Sequence, residues 1–139
     1  MTLSFRYKRV GGDIHRPIIP LQITLDDETQ VTLTGILDSG SDVILIPKEV
    51  GESLGLKMGN KVTDIDGVGD RIKVVKSRIK VLLDDGRKKH RIPHPLEVNI
   101  QLSGKPLGIL IGRIPFFREF IIEFNESAKR VRLTPSHRH

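Results

Sequence analysis

Between two apolar segments, Val31 to Leu37 and Val43 to Ile46, the chain carries the triplet Asp38-Ser39-Gly40. Two buried strands joined by a turn that holds a carboxylate are a demanding arrangement, because a charge taken out of water is costly unless it is hydrogen-bonded, paired or neutralised. Ser39 supplies a hydroxyl that can bond to a neighbour. Gly40 lets the backbone turn sharply and approach whatever the Asp faces. Alone, the triplet reads as an ordinary turn, since Asp, Ser and Gly are all favoured turn residues.

The rest of the chain predicts short strands around that turn. Aromatic residues are only 4% of the sequence, so Ile, Val and Leu must fill the core, and β-branched residues favour strands. Pro17 and Pro20 bracket Ile18-Ile19 as the entry to a first strand, Leu21 to Leu25. Asp26-Asp27-Glu28 turns the chain into a second, Gln30 to Leu37, a hairpin by pattern. The apolar run Val43 to Ile46 suits a strand buried on both faces. Pro47 opens a short helical segment through Leu54, with Gly55 near its end. Lys61 to Ile65 and Arg71 to Val75 are strand-like and flank a glycine-tipped turn, Asp66-Gly67-Val68-Gly69-Asp70. Ile72 to Leu83 reads as one long strand, Leu96 to Leu102 as another, and Leu107 to Ile111 as a third after the turn Ser103 to Pro106. An all-β, barrel-like domain with one clear helical segment is expected over residues 18–134. Residues 1–17 read as a polar, basic leader of little periodicity, an arm or a partly disordered segment, and residues 135–139 as a polar tail.

Composition narrows the function classes. At 139 residues the chain suits one domain with a modest core. With no cysteine, neither a disulfide framework nor a thiolate metal site is available. Met1 to Asp13 lacks the apolar stretch of a signal peptide, and no apolar run approaches the roughly 18 residues that span a bilayer. A soluble, cytoplasmic protein without a membrane partner is the expectation. A net charge of +6 and a pI near 9.8 invite a nucleic-acid reading. The cations are scattered, however, except in Arg87-Lys88-Lys89-His90-Arg91, which follows the turn Asp84-Asp85-Gly86 and has no aromatic residues interleaved for stacking. A solvated hairpin tip is favoured there, and nucleic acid is disfavoured as a partner. His90 and His94 have a metal-ligand spacing only on a helix, which Pro93 prevents. No metal site and no cofactor are expected.

Downstream of the turn stands Ile109-Leu110-Ile111-Gly112-Arg113, an apolar run ending in Gly-Arg. Together with Asp38-Ser39-Gly40 it resembles the paired signatures of the retropepsin-like (retroviral-type) aspartic proteases, in which an apolar strand and its Gly pass behind the catalytic loop. Between the signatures, Ile65, Asp66, Gly67, Val68 and Gly69 look like the tip of the family's flap, within a hairpin from about Val62 to Val74. Ile114 to Phe120 is similar to its short helix, and Ile121 to Phe124 and Arg130 to Leu133 to its closing strands. The resemblance implies a retropepsin-like acid-protease barrel with one or two short helices, active as a homodimer. It also implies an aspartic endopeptidase acting on extended polypeptides, with Asp38 as the catalytic residue. Only one such triplet occurs, so the second carboxylate must come from a second copy. Ser39 would then bond across the axis to the partner's loop. Asp42 and Arg113 are expected to form a bidentate pair bracing the loop, with Leu110, Ile111 and Gly112 as its support. Two rivals stand beside this reading: a catalytically silent peptide-binding or dimerisation domain of the same fold, and a basic nucleic-acid-binding barrel.

Overall fold

Alternation sets the inner face of each strand. In the computed structural model, which describes residues 1–67, 70–105 and 107–136, Ile19, Leu21 and Ile23 point inward from strand β4 (Ile18–Thr24) while the residues between them stay half exposed. β4 pairs antiparallel with β5 (Gln30–Leu37), from Ile18↔Ile36 to Thr24↔Gln30. The expected hairpin is present and begins three residues earlier than the pattern predicts. Pro20 sits inside it.

The long strand β8 (Asp70–Asp84) organises the barrel. Ser77, Ile79, Val81 and Leu83 alternate inward along it. Its first part pairs with β7 (Thr63–Gly67), its middle with β10 (Leu96–Gln101), and its later part with both β4 and β9 (Lys89–Arg91). β10 also pairs, in parallel, with β6 (Leu45–Pro47). The short β11 (Leu110–Ile111) lies between β6 and β5, antiparallel to the first and parallel to the second. The order β10-β6-β11-β5-β4-β8 therefore closes on itself through the β10–β8 pairing, so each of these strands has a neighbour on both sides along part of its length. Helix α1 (Lys48–Ser53) follows Pro47 and ends at Leu54 before Gly55, whose φ is +66°. A 3-10 turn, Phe116–Glu119, buries Phe116 completely.

The largest departure from expectation is at the N-terminus. Residues 1–17 are three strands: β1 (Leu3–Arg6), β2 (Lys8–Gly11) and β3 (Ile14–Arg16). Leu3, Phe5 and Tyr7 belong to the main core. β1 joins a second, three-stranded sheet with β13 (Arg130–Pro135) and β12 (Phe120–Asn125), β13 at its centre. Both edges of the closing strand are thus paired within the chain. β2 and β3 form an exposed hairpin of their own. Among the described residues no helix is long and apolar enough to cross a membrane.

Candidate active site

The Asp38 loop is built by its backbone. β5 ends beside β11, in register Ile36↔Leu110 and Leu37↔Ile111. The Leu37 N–H donates to the Pro17 carbonyl at 2.9 Å and the Asp38 N–H to the Ile111 carbonyl at 3.0 Å. Beyond Asp38 the chain turns: the Gly40 N–H donates to Asp38 Oδ1 at 2.9 Å, and the Ser41 N–H to the Asp38 carbonyl at 3.1 Å. The Ser41 hydroxyl donates to the Val43 carbonyl at 2.8 Å. Asp38 is left half exposed, with Ser39 and Gly40 open to solvent. The carboxylate is thus aligned by one backbone donor and accessible to water.

Gly112 passes directly beneath this turn. A β-carbon there would lie 2.2 Å from the Val43 carbonyl oxygen and 2.5 Å from that of Ser41. The next two residues stitch the crossing: the Arg113 N–H donates to the Ser41 carbonyl at 2.9 Å and the Ile114 N–H to that of Asp42 at 2.8 Å. Asp38, Ser39, Gly40 and Asp42 are therefore brought together with Leu110, Ile111, Gly112 and Arg113. The expected bidentate clamp differs. Arg113 Nη2 stands 3.8 Å from Asp42 Oδ1, and both side chains are largely exposed. That distance exceeds a hydrogen bond, and an exposed pair contributes about 0–1 kcal/mol. The backbone does the bracing instead.

β7 and β8 form the expected hairpin, in register from Thr63↔Val74 to Gly67↔Asp70. Asp64 faces Lys73 at 3.2 Å and Asp66 faces Arg71 at 3.8 Å. Asp66 is thus engaged within its own hairpin. Gly67 ends β7, and the tip residues Val68 and Gly69 lie outside the described residues. Ile65, Leu107 and Leu110 are half buried and pack on Leu45, Ile72 and Val74, a second apolar cluster that joins the hairpin's base to β11.

Two contributors escape the reading of the sequence. Gly35, in the middle of β5, has Ile109 Cγ2 and Ile111 Cγ1 within 2.9 Å of where a β-carbon would sit. A glycine inside a strand is the available signal for such close approach. Ser41 stands outside the Asp-Ser-Gly triplet, and its cap on Val43 depends on how the loop folds back.

No protein-family model matches the chain, and no curated protein matches it in sequence. Solved structures do match in shape. The crystal structure of a retropepsin-like aspartic protease from Rickettsia conorii superposes with a TM-score of 0.63 at 15% identity, covering 96% of this chain and 90% of that one. EIAV protease in complex with the inhibitor HBY-793 gives 0.49 at 17% identity, over 76% of this chain and 88% of its own. The closed barrel, the Asp38 loop crossed by the Gly112 segment and the β7–β8 hairpin occur in one retropepsin-like fold. Among the described residues it is an all-β fold with one short α-helix.

Proposed function

We propose that the chain is an aspartic endopeptidase that works as a homodimer, each protomer contributing one Asp38 to a shared catalytic pair. The observation that carries this is the carboxylate itself. Asp38 is half exposed, held by the Gly40 N–H, and mounted on a loop whose crossing tolerates only glycine at position 112. A turn with no chemical task has no need of such support.

Two carboxylates about 3 Å apart repel by roughly 5 kcal/mol at an effective dielectric near 20, so the pair holds one proton between them. The ionised Asp38 takes a proton from water as the water attacks the scissile carbonyl, and the protonated one polarises that carbonyl. Ser39 bonds to the partner's loop and keeps the two carboxylates coplanar, while Asp42 and Arg113 line its outer side. The β7–β8 hairpin from Ile65 through Gly69 acts as the flap over an extended polypeptide, and its closure excludes water. Half-buried Ile65, Leu107 and Leu110 support a preference for apolar side chains beside the scissile bond.

Digestion of a denatured protein by wild type and by Asp38→Asn across a range of pH tests the reading. Wild-type activity is expected to follow a bell with its maximum on the acidic side, because only the singly protonated pair is competent. Asp38→Asn preserves size but cannot act as a base and is expected to abolish cleavage without altering the circular dichroism. Cleavage by the purified variant at more than a trace of the wild-type rate refutes the assignment.

A further inference from the structure

The outer face of the three-stranded sheet collects positive charge for which the protease reading has no use. In the β1–β13 register Ser4 lies opposite Arg132 and Arg6 opposite Arg130. Leu3, Phe5, Val131 and Leu133 turn to the core, so the two arginines of the second pair share the outward face. Like charges directly opposite across a strand pair destabilise it. The turn that follows β8 adds Arg87 and Lys88, and the five cations line a single concavity of about 740 Å³.

Two carboxylates, Asp84 and Asp85, also border this space; both oxygens of Asp85 and one of Asp84 accept backbone N–H groups. Asp85 Oδ1 accepts the N–H groups of Arg87 at 2.8 Å and Lys88 at 2.7 Å, and its Oδ2 accepts that of Ser4 at 2.9 Å. Asp84 Oδ1 accepts the Gly86 N–H at 2.8 Å. Asp85 holds the turn against β1 and Asp84 shapes the turn itself, and together they place the cations. Half-buried Arg130 is fixed by donating to the Ser4 hydroxyl at 3.2 Å. Arg132 has Glu123 on its far side at 4.0 Å, an exposed and loose pair.

We infer that this concavity binds a compact anion carrying clustered phosphate groups, either a free oligophosphate or a multiply phosphorylated lipid headgroup. Four of the five cations are arginines, whose planar forks match phosphate oxygens two at a time. A bound anion would also relieve the Arg6–Arg130 opposition. The aromatic residue of the wall, Phe5, is buried on the other face of the sheet, which leaves bases nothing to stack on there and disfavours single-stranded nucleic acid. The inference does not depend on Asp38.

The test is titration calorimetry of the full chain with sodium tripolyphosphate at constant ionic strength. Saturable binding at one site is expected, weakened roughly tenfold or more in Arg6→Ser and in Arg87→Ser, each of which removes a charge-assisted contact. Arg87 lies on an exposed turn, so its variant keeps the fold, and ligand-free Arg6→Ser should melt no lower than wild type because the repulsion is gone. Vesicles containing phosphatidylinositol bisphosphate, compared with phosphatidylserine vesicles of equal charge, identify the source. Arg87-dependent binding to the first alone assigns the headgroup, and tripolyphosphate binding without vesicle binding assigns the free anion. Absence of saturable binding to either phosphate probe overturns the inference, as does undiminished affinity in both variants. An equally charged poly-glutamate peptide or an RNA oligonucleotide that binds more tightly than either phosphate probe overturns it as well.

Discussion

Gly112 and Gly35 are both crowded, but by different kinds of atoms. At Gly112 the obstacles are the carbonyl oxygens of Val43 and Ser41, fixed in the Asp38 turn, whereas at Gly35 they are side-chain carbons of Ile109 and Ile111. Backbone cannot move aside without breaking the Asp38 loop, while the isoleucine side chains can yield by small shifts about χ1, at some cost because they are β-branched. Gly112→Ala is therefore expected to cost about 3 kcal/mol and Gly35→Ala about 1 kcal/mol, from the range typical of overpacked sites. Urea unfolding of the two variants checks the order, and equal losses would show that the loop is softer than this packing implies. Asp85 provides a second residue-level test. Burial raises its carboxyl, but the N–H groups of Lys88, Ser4 and Arg87 and the Lys88 charge outweigh that and hold it below its ordinary value of 3.8. A carboxyl lowered on folding stabilises the native state fully above its unfolded value and loses that contribution as pH falls through the folded value. Asp85→Asn should be less stable than wild type by about 1 kcal/mol at neutral pH, with the gap closing below about pH 4. A gap that stays constant from pH 7 to pH 3 would mean the charge on Asp85 contributes nothing.

Among the elements, the β7–β8 hairpin carries its own stabilising pairs. Asp64–Lys73, at 3.2 Å, and the looser, exposed Asp66–Arg71, at 3.8 Å, are directly opposite in register, and such exposed pairs contribute about 0–1 kcal/mol each. Arg71→Asp sets two carboxylates against each other and is expected to raise KM for a peptide substrate several-fold at low salt. The swap Asp66→Arg with Arg71→Asp should restore it, with unfolding free energy nearly unchanged throughout. If the single variant cleaves as wild type does, the hairpin takes no part in covering substrate. This hairpin was legible in the sequence because two strand-like runs flank a glycine pair, and β5, α1 and β8 were legible for similar local reasons. β1 departs from the expected arm although Leu3, Phe5 and Tyr7 alternate with Ser4 and Arg6 in a strand period. The basic residues gave the segment the look of a solvated arm. Its true status depends on pairing with Arg130 to Leu133, more than a hundred residues away, and local pattern does not encode partner choice at that distance. The Asp42–Arg113 pair shows a similar limit: the family resemblance implies a bidentate contact, whereas the backbone geometry of the crossing decides which groups bond.

The whole molecule holds a single Asp-Ser-Gly in a closed barrel, beside a separate sheet whose central strand β13 already has both edges paired. Under the proposed mechanism, catalysis must arise where two Asp38 loops meet about a two-fold axis. That requirement has a quantitative consequence that a one-chain active site would not share. If wild type and Asp38→Asn exchange subunits freely, a mixed dimer has one competent carboxylate and one amide, and is inactive. Adding inactive variant to a fixed amount of wild type then leaves a fraction 1/(1+r) of the activity at molar ratio r, because each wild-type chain finds a wild-type partner with that probability. Activity should fall to about a half at equal amounts and about a tenth at ninefold excess under random pairing. Exchange can be verified independently by energy transfer between differently labelled chains, and sedimentation velocity should show one dimeric species in every mixture. Activity that stays constant while energy transfer proves exchange would assign catalysis to a single chain, and the two-fold reading of Asp38 would have to be abandoned.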